Sequence, residues 1–307
     1  MSRFNPYSLG ATLYIPAVKD DIMETISGVK YPLLKSAVIC LEDAIVESEV
    51  ALAMTNLRKV LVALSSGQKA KTIQVFIRPR NVEMAIEIIA SMPLTHIDGF
   101  VLPKFDNDTL FAWEHACRYT DLQWMPTLET AQAHDAFAMR ELAVQLTNTK
   151  CQERVLALRI GGNDLLSCLG LRRNAQQTLY EGPLGYTIGM LVATFASRQY
   201  VLTAPVFERF DDVDTLNREL EQDIAHGLVG KTAIHPSQLL PIHNAFRVKL
   251  TDYKAAIQIL KSDKAVYKWD NSMAEPATHR NWANNIIARA NAYGILDFSH
   301  TLMEVNV

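Results

Sequence analysis

The sequence predicts a (β/α)8 barrel, of the TIM-barrel type, with a C-terminal helical extension, and three observations predict it. Apolar, β-branched runs recur eight times between Thr12 and Pro236, and most are too apolar to be strands with a solvated face. The intervals between them carry helix-period sequence, the alternation that builds a parallel sheet. The runs tend to end abruptly in a charged or turn residue, and in a barrel the C-terminal strand ends carry the functional groups.

Taken in order, the strands are expected at Thr12 to Ala17, Ala37 to Ala44, Thr72 to Arg80, Asp98 to Lys104, Gln123 to Thr130, Arg154 to Gly162, Tyr200 to Pro205 and Gly230 to Pro236. After the second, Val50, Met54, Leu57, Leu61 and Leu64 recur at spacings of four, three, four and three, one apolar stripe for packing on the barrel. Before the last, Asp211 or Asp212 caps a helix with Val213, Leu216, Leu220 and Ile224 on one side, and Gly227 ends it. His226, in its final turn, reads as a favourable cation at a helix C-terminus. Beyond Thr251 the pattern changes to a helix from Asp252 to about Ser262, a polar stretch to Pro276, and a helix from Ala277 to Tyr293 with Trp282, Ile286, Ile287 and Ala290 on one side. Eight strands already close a barrel, so residues 1–250 are expected to form the catalytic domain. Residues 251–307 are then an extension that packs outside it or on a neighbouring subunit.

Composition narrows the class. The 307 residues are 49% hydrophobic and 21% charged, enough for a large core, and the formal net charge of -3 comes without a basic block. A nucleic-acid or membrane surface is therefore not expected, and the ligand is expected to be small. No run approaches the roughly 18 apolar residues of a membrane span, and Met1-Ser2-Arg3-Phe4-Asn5-Pro6 lacks a signal-peptide core, so a cytoplasmic location is expected. Cys40, Cys117, Cys151 and Cys168 are dispersed without CxxC spacing and read as isolated thiols.

The polar residues at the expected strand ends are Glu42, Asp43, Arg78, Arg80, Lys104, Glu129, Asp164 and His235. Glu129 and Asp164 close consecutive strands. Their carboxylates either share one hard cation, for which Mg2+ with its few protein carboxylates is suited, or pair with strand-end Arg and Lys. Arg78 offers a planar fork for a carboxylate or enolate, a role compatible with internal pairing to Glu42 or Asp43. Together they suit an anionic 2-oxo or 2-hydroxy acid.

Five motifs stand in register on these strands: Leu41-Glu42-Asp43-Ala44, Val101-Leu102-Pro103-Lys104, Leu128-Glu129-Thr130-Ala131, Gly161-Gly162-Asn163-Asp164-Leu165 and Gly230-Lys231-Thr232-Ala233-Ile234-His235-Pro236. In this order they resemble the HpcH/HpaI aldolase and citrate lyase β-subunit family of carbon-carbon bond lyases. The resemblance implies a Mg2+-dependent barrel enzyme with metal ligands at Glu129 and Asp164 and a substrate arginine at Arg78; Arg80, Lys104 and His235 are the further strand-end candidates for substrate contact. It also implies a CoA or acyl-carrier thioester in many members, and free hydroxy-oxo acids in the HpaI branch. The chain departs from the family pattern at Pro16-Ala17, at Arg78-Pro79-Arg80-Asn81 and at Cys40-Leu41-Glu42-Asp43, changes that bear on the thioester.

In the cleavage direction a base removes the hydroxyl proton, the metal and Arg78 hold the developing oxo acid, and the broken bond leaves an enolate. Glu42 and Asp43 support Arg78, Lys104 or the metal's waters, or transfer the proton. Alternatives are a carrier-dependent or non-catalytic subunit of a larger assembly, and a malate-synthase-like condensing enzyme. Met273-Ala274-Glu275-Pro276 resembles the family segment that reaches a neighbour's active site, which implies a catalytic Glu275 and a homotrimer or dimer of trimers. A helix N-terminal acid is the other reading of Glu275.

Overall fold

Buried runs in this chain have no polar face to offer water, so they pair side by side and are covered by the helices that connect them. The computed structural model describes residues 5–67 and 73–297. Thr72 and the Met1 to Phe4 segment lie outside the described residues, as does the end of the expected extension from 298. The side chain of Cys151 is likewise outside them.

The barrel strands are β1 (Ala11–Pro16), β2 (Ser36–Cys40), β3 (Gln74–Arg78), β4 (Gly99–Leu102), β5 (Gln123–Leu128), β6 (Leu158–Ile160), β7 (Leu202–Thr203) and β8 (Lys231–Ala233). All pair in parallel in the order β7-β6-β5-β4-β3-β2-β1-β8. The ring meets itself between β7 and β8 through a parallel bridge, Ala204 with Lys231, and through the Ala204 N–H donating to Gly230 O at 2.7 Å. This is the expected TIM barrel. The strands are shorter than the apolar runs, because Glu42 and Asp43 follow the end of β2 and Gly162 already begins a helix.

Connecting helices are α1 (Ile22–Ile26), α2 (Val50–Ser65), α3 (Val82–Ser91), α4 (Leu110–Cys117), α5 (Ala136–Asn148), α6 (Gly162–Cys168), α7 (Leu184–Ala196), α8 (Val213–Ala225) and α9 (Leu239–Phe246). On α2 the stripe is right in its centre: Leu57, Leu61 and Leu64 are buried, while Val50 and Met54 are half-buried. On α8 it is partly wrong. Asp212 is the cap, accepting from the Thr215 N–H at 3.1 Å, but Val213 is exposed and the buried face holds Thr215, Leu216, Glu219, Leu220 and Asp223.

Inside the barrel, Leu9, Val38, Phe76, Val101, Met125, Leu156 and Ala157 form an apolar cluster. Because alternate residues of a strand share a face, the inward column of β5 runs Met125, Thr127, Glu129 and that of β6 runs Ala157, Arg159, Gly161. The filling thus turns from apolar to polar toward the C-terminal ends.

The chain divides into two compact units, Met1–Ile242 and His243–Val307. Within the second, α10 (Leu250–Lys261) and α11 (Pro276–Tyr293) bury Ala256, Ile259, Ala283, Ile286 and Ala290, with Ile287 packed alongside. Trp282 is a correction, being 42% exposed. The polar stretch between these helices is a hairpin of β10 (Tyr267–Trp269) and β11 (Ser272–Ala274), after the short β9 (Val248–Lys249). Asp270 and Asn271 form its two-residue turn at φ 44° and 59°, the left-handed pair that matches strand twist. A last strand, β12 (Ile295–Leu296), pairs with β9.

Candidate active site

Glu129 is the hub of the strand-end cluster. Its side chain is almost fully buried one step beyond β5, and Oε1 accepts from Arg78 Nη2 at 2.9 Å and from the Lys104 N–H at 2.8 Å. Lys104 presents that amide because it adopts φ 48°, a left-handed conformation that costs a lysine energy and is held here by the surrounding contacts. Its ammonium donates to Glu42 Oε1 at 2.7 Å. Glu42 Oε2 in turn lies 2.5 Å from Arg78 Nη2, and Asp43 Oδ2 lies 3.5 Å from the same nitrogen. Arg78, Lys104, Glu42, Asp43 and Glu129 are therefore one connected charge network across β2, β3, β4 and β5.

Gly161 makes room for this arrangement. A Cβ there would sit 2.4 Å from Glu129 Cβ and 2.5 Å from Glu129 Oε2, so only glycine fits beside the hub. Its φ of -89° is ordinary, so the requirement is one of space rather than backbone conformation. Asp164 follows in the first turn of α6, half-buried.

Burial pushes the Glu129 carboxyl up to about 7 against the pull of Arg78, with Asp164 adding repulsion. Burial likewise raises Asp164, partly offset by Lys104. Asp43, whose side chain is 58% exposed, is pushed up to about 6 by partial desolvation and by Glu42 beside it. Burial opposes ionisation of Glu42, yet Arg78 and Lys104 hold it below its usual range. Arg78 is held firmly protonated by Glu129 and Glu42 despite its burial.

Among the described residues, Glu129 Oε2 and the Asp164 carboxylate accept no hydrogen bond from any other residue. Both line one cavity of 290 Å³ with Tyr14, Asp43, Arg78 and Arg159. Two hard oxygen donors that repel each other across a shared cavity fit a divalent cation with an oxygen shell. No group of three or more His, Cys, Asp or Glu gathers for a metal among the described residues.

Arg80 and His235 do not line this cavity. Arg80 donates to Ile45 O at 3.0 Å and pairs with Glu47 at 3.3 Å. His235 caps a short turn, with Nδ1 2.7 Å from Ser237 Oγ, and its ring stacks on Phe210 with centroids 5.2 Å apart. Lys231 is fully buried and pairs with Glu219 at 2.9 Å and Asp223 at 2.8 Å, while Arg173 also binds Glu219. His226 ends α8 with Nδ1 2.8 Å from Gln222 O. Glu275 is the residue before α11, its N–H donating to His279 Nδ1 at 3.2 Å and its side chain capping nothing.

Sequence reading missed Arg159, which lines the cavity from the middle of β6. The signal was available: stepping back by two from Gly161 places residue 159 on the inner face.

Fold and cavity together define a (β/α)8 barrel with a carboxylate- and arginine-lined pocket at the C-terminal ends of its strands, and no helix among the described residues is long and apolar enough to cross a membrane. More particularly, the chain belongs to the family described as C-C_Bond_Lyase of the TIM-Barrel fold, whose model matches residues 3–295. This bears out the resemblance carried by the five strand-end motifs. A (3S)-malyl-CoA thioesterase of Cereibacter sphaeroides is 28% identical over 235 residues, covering 75% of this chain and 74% of the relative. Among solved structures, Mycobacterium tuberculosis CitE in complex with magnesium, acetoacetate and coenzyme A superposes with a TM-score of 0.68 at 19% identity, covering 93% of this chain and 99% of that one. The citrate lyase β subunit of the same organism, complexed with oxaloacetate and magnesium, gives 0.59 at 19% identity over 80% and 100% of the two chains. RipC from Yersinia pestis gives 0.57 at 20% identity, covering 78% of this chain and 95% of that one. These likenesses carry the fold.

Proposed function

We propose that this protein is a Mg2+-dependent carbon-carbon bond lyase, cleaving a 2-hydroxy acid or its thioester to a 2-oxo acid and an enolate-derived product. The observation that carries the reading is the cavity shared by Arg78, Glu129 and Asp164, in which Glu129 Oε2 and the Asp164 carboxylate are engaged by no other residue among those described. Magnesium is the ion named with the CitE and citrate lyase β structures. Held by Glu129 and Asp164, it would polarise the oxygens of the oxo acid and offset charge as the bond breaks.

The chain's own groups supply the rest. Arg78, fixed by Glu42 and Glu129, presents its remaining donors to a carboxylate or enolate, and its buried Nε has no hydrogen-bond partner. Asp43 lines the cavity and, pushed to about 6, can accept a hydroxyl proton near neutrality and return it. Glu42 and Lys104 hold Arg78 and Glu129 in place. Arg80 and His235, engaged elsewhere, are outside this contact set. By resemblance, Glu275 of a neighbouring copy completes the site in a homotrimer or dimer of trimers.

A second reading, thioester hydrolysis, is favoured by the activity for which the Cereibacter relatives are named. One assay separates the two. Purified protein with Mg2+ is given malyl-CoA, citramalyl-CoA and free 2-hydroxy acids, and both oxo acid and free thiol are measured. Oxo acid release abolished by a chelator is the expected result. Free thiol without oxo acid would establish hydrolysis, and neither product from any substrate would refute both readings.

A further inference from the structure

Above the apolar filling, the barrel interior is not closed by the branched apolar side chains usual at this level but by a guanidinium among hydroxyls. Arg159 is in register with Thr127 of β5 and with Thr203 of β7, so all three point inward. Thr12 and Thr232 are in register across β1 and β8, and Arg159 donates to both hydroxyls. It also has Met125 Sδ at 3.7 Å and Tyr14, whose ring lies 5.3 Å from the guanidinium carbon and whose side chain hydrogen-bonds it, while Glu129 attracts it from beyond ion-pair distance.

Three facts about this layer do not fit a purely structural role. Arg159 is 2% exposed yet forms no ion pair among the described residues, whereas the other buried cations, Arg78, Arg173 and Lys231, each sit against two carboxylates or more. A buried charge without a directly bonded counter-charge is costly and normally has a partner. The hydroxyls of Thr127 and Thr203, its register neighbours, are buried without a hydrogen-bond partner. Finally, Arg159, Thr127 and Thr232 line the same cavity as Arg78, Glu129 and Asp164, so the unpaired cation is open to whatever enters.

We infer that Arg159 is the receptor for a second anionic group on the substrate, and that the substrate is a free dicarboxylic 2-hydroxy or 2-oxo acid held at one end by Arg78 and at the other by Arg159. The inference rests on the lyase reading for the end held by Arg78. Neutral thioester or methyl groups at the Arg159 end would leave its charge unmatched, so the layer selects against them. A carboxylate there accepts two parallel hydrogen bonds from the fork and the spare donor of Thr127.

The test compares malate with lactate, 2-hydroxy acids that differ by one carboxylate, by calorimetric titration of the whole protein with and without Mg2+. A charge-assisted pair predicts at least about tenfold tighter binding of malate. Arg159→Met, a substitution of similar length beside Met125, should bring malate down to within about twofold of lactate. Arg159→Lys should keep part of the preference. Equal affinity of the wild-type protein for the two acids would overturn the inference whether or not the variants fold, as would a malate preference that survives in folded Arg159→Met. A malate preference that needs Arg159 but not Mg2+ would uphold the second anion site while sinking the metal reading.

Discussion

Adding a single methyl group at Gly161 should disable the site without touching any charged residue. The alanine Cβ would stand 2.4 Å from Glu129 Cβ, and relief to even 3.0 Å moves the glutamate by about 0.6 Å. Its bonds to Arg78 and the Lys104 amide, 2.9 and 2.8 Å long, would stretch to the edge of hydrogen-bond range. Losing one charge-assisted bond costs about 1.5 to 3 kcal/mol, which is roughly 10- to 150-fold if it falls on the transition state. Gly161→Ala is therefore expected to lower turnover by that factor and to weaken Mg2+ binding in calorimetry. Because φ at Gly161 is ordinary, backbone strain cannot be the cause. Gly189→Ala is the matched control: the residue lies within α7 with open space around it, so the same methyl should stabilise by about 0.5 to 1 kcal/mol. Wild-type turnover and Mg2+ affinity in Gly161→Ala would show that the Glu129 position is not what the site depends on.

Arg78→Lys keeps the charge but loses the fork, and steady-state kinetics should show at least a tenfold or so loss of turnover; full activity would make Arg78 purely structural. Lys231→Met strands Glu219 and Asp223 in the interior, and urea denaturation should register a loss of about 3 to 5 kcal/mol, with less than about 1 kcal/mol counting against the buried network. Burial opposes the charge of Glu219, but Lys231 and Arg173 hold its carboxyl below the usual range, so its contribution is complete above about pH 4.3 and fades as the pH falls through the lowered value. Acid unfolding of wild type should steepen in that window, and Glu219→Gln should flatten it. Mixing inactive Glu275→Ala with inactive Asp164→Asn under subunit exchange should restore part of the activity; a fully active Glu275→Ala protein would remove the neighbour's contribution.

The barrel was legible because strands buried on both faces read as unbroken apolar runs, and the strand-end network was legible because Glu42, Arg78, Lys104 and Glu129 interrupt those runs where they end. Arg159 escaped because it sits within a run rather than at its edge, where only the inward column distinguishes it from a break. Glu219 and Asp223 escaped for the opposite reason: acids on a helix suggest its wet face, and here Lys231 and Arg173 draw them inside. The hairpin of β10 and β11 was hidden because Asp270-Asn271 lies in a polar stretch with no alternating apolar strands beside it. Trp282 and Val213 misled because size and hydropathy say nothing about which side of a stripe's border a residue falls on.

The pairing of β1 with β8 has a consequence for how the chain is made. Some 220 residues separate Ala11 from Lys231, its partner across that seam. At about 5 to 20 residues per second, translation leaves one edge of β1 open for roughly ten to forty seconds after it emerges. An unpaired apolar edge is a template for pairing with another chain. The nascent half-barrel is open to such pairing for that interval, and slower synthesis prolongs the exposure. Soluble yield of this protein is thus expected to depend in part on events before Lys231 leaves the ribosome.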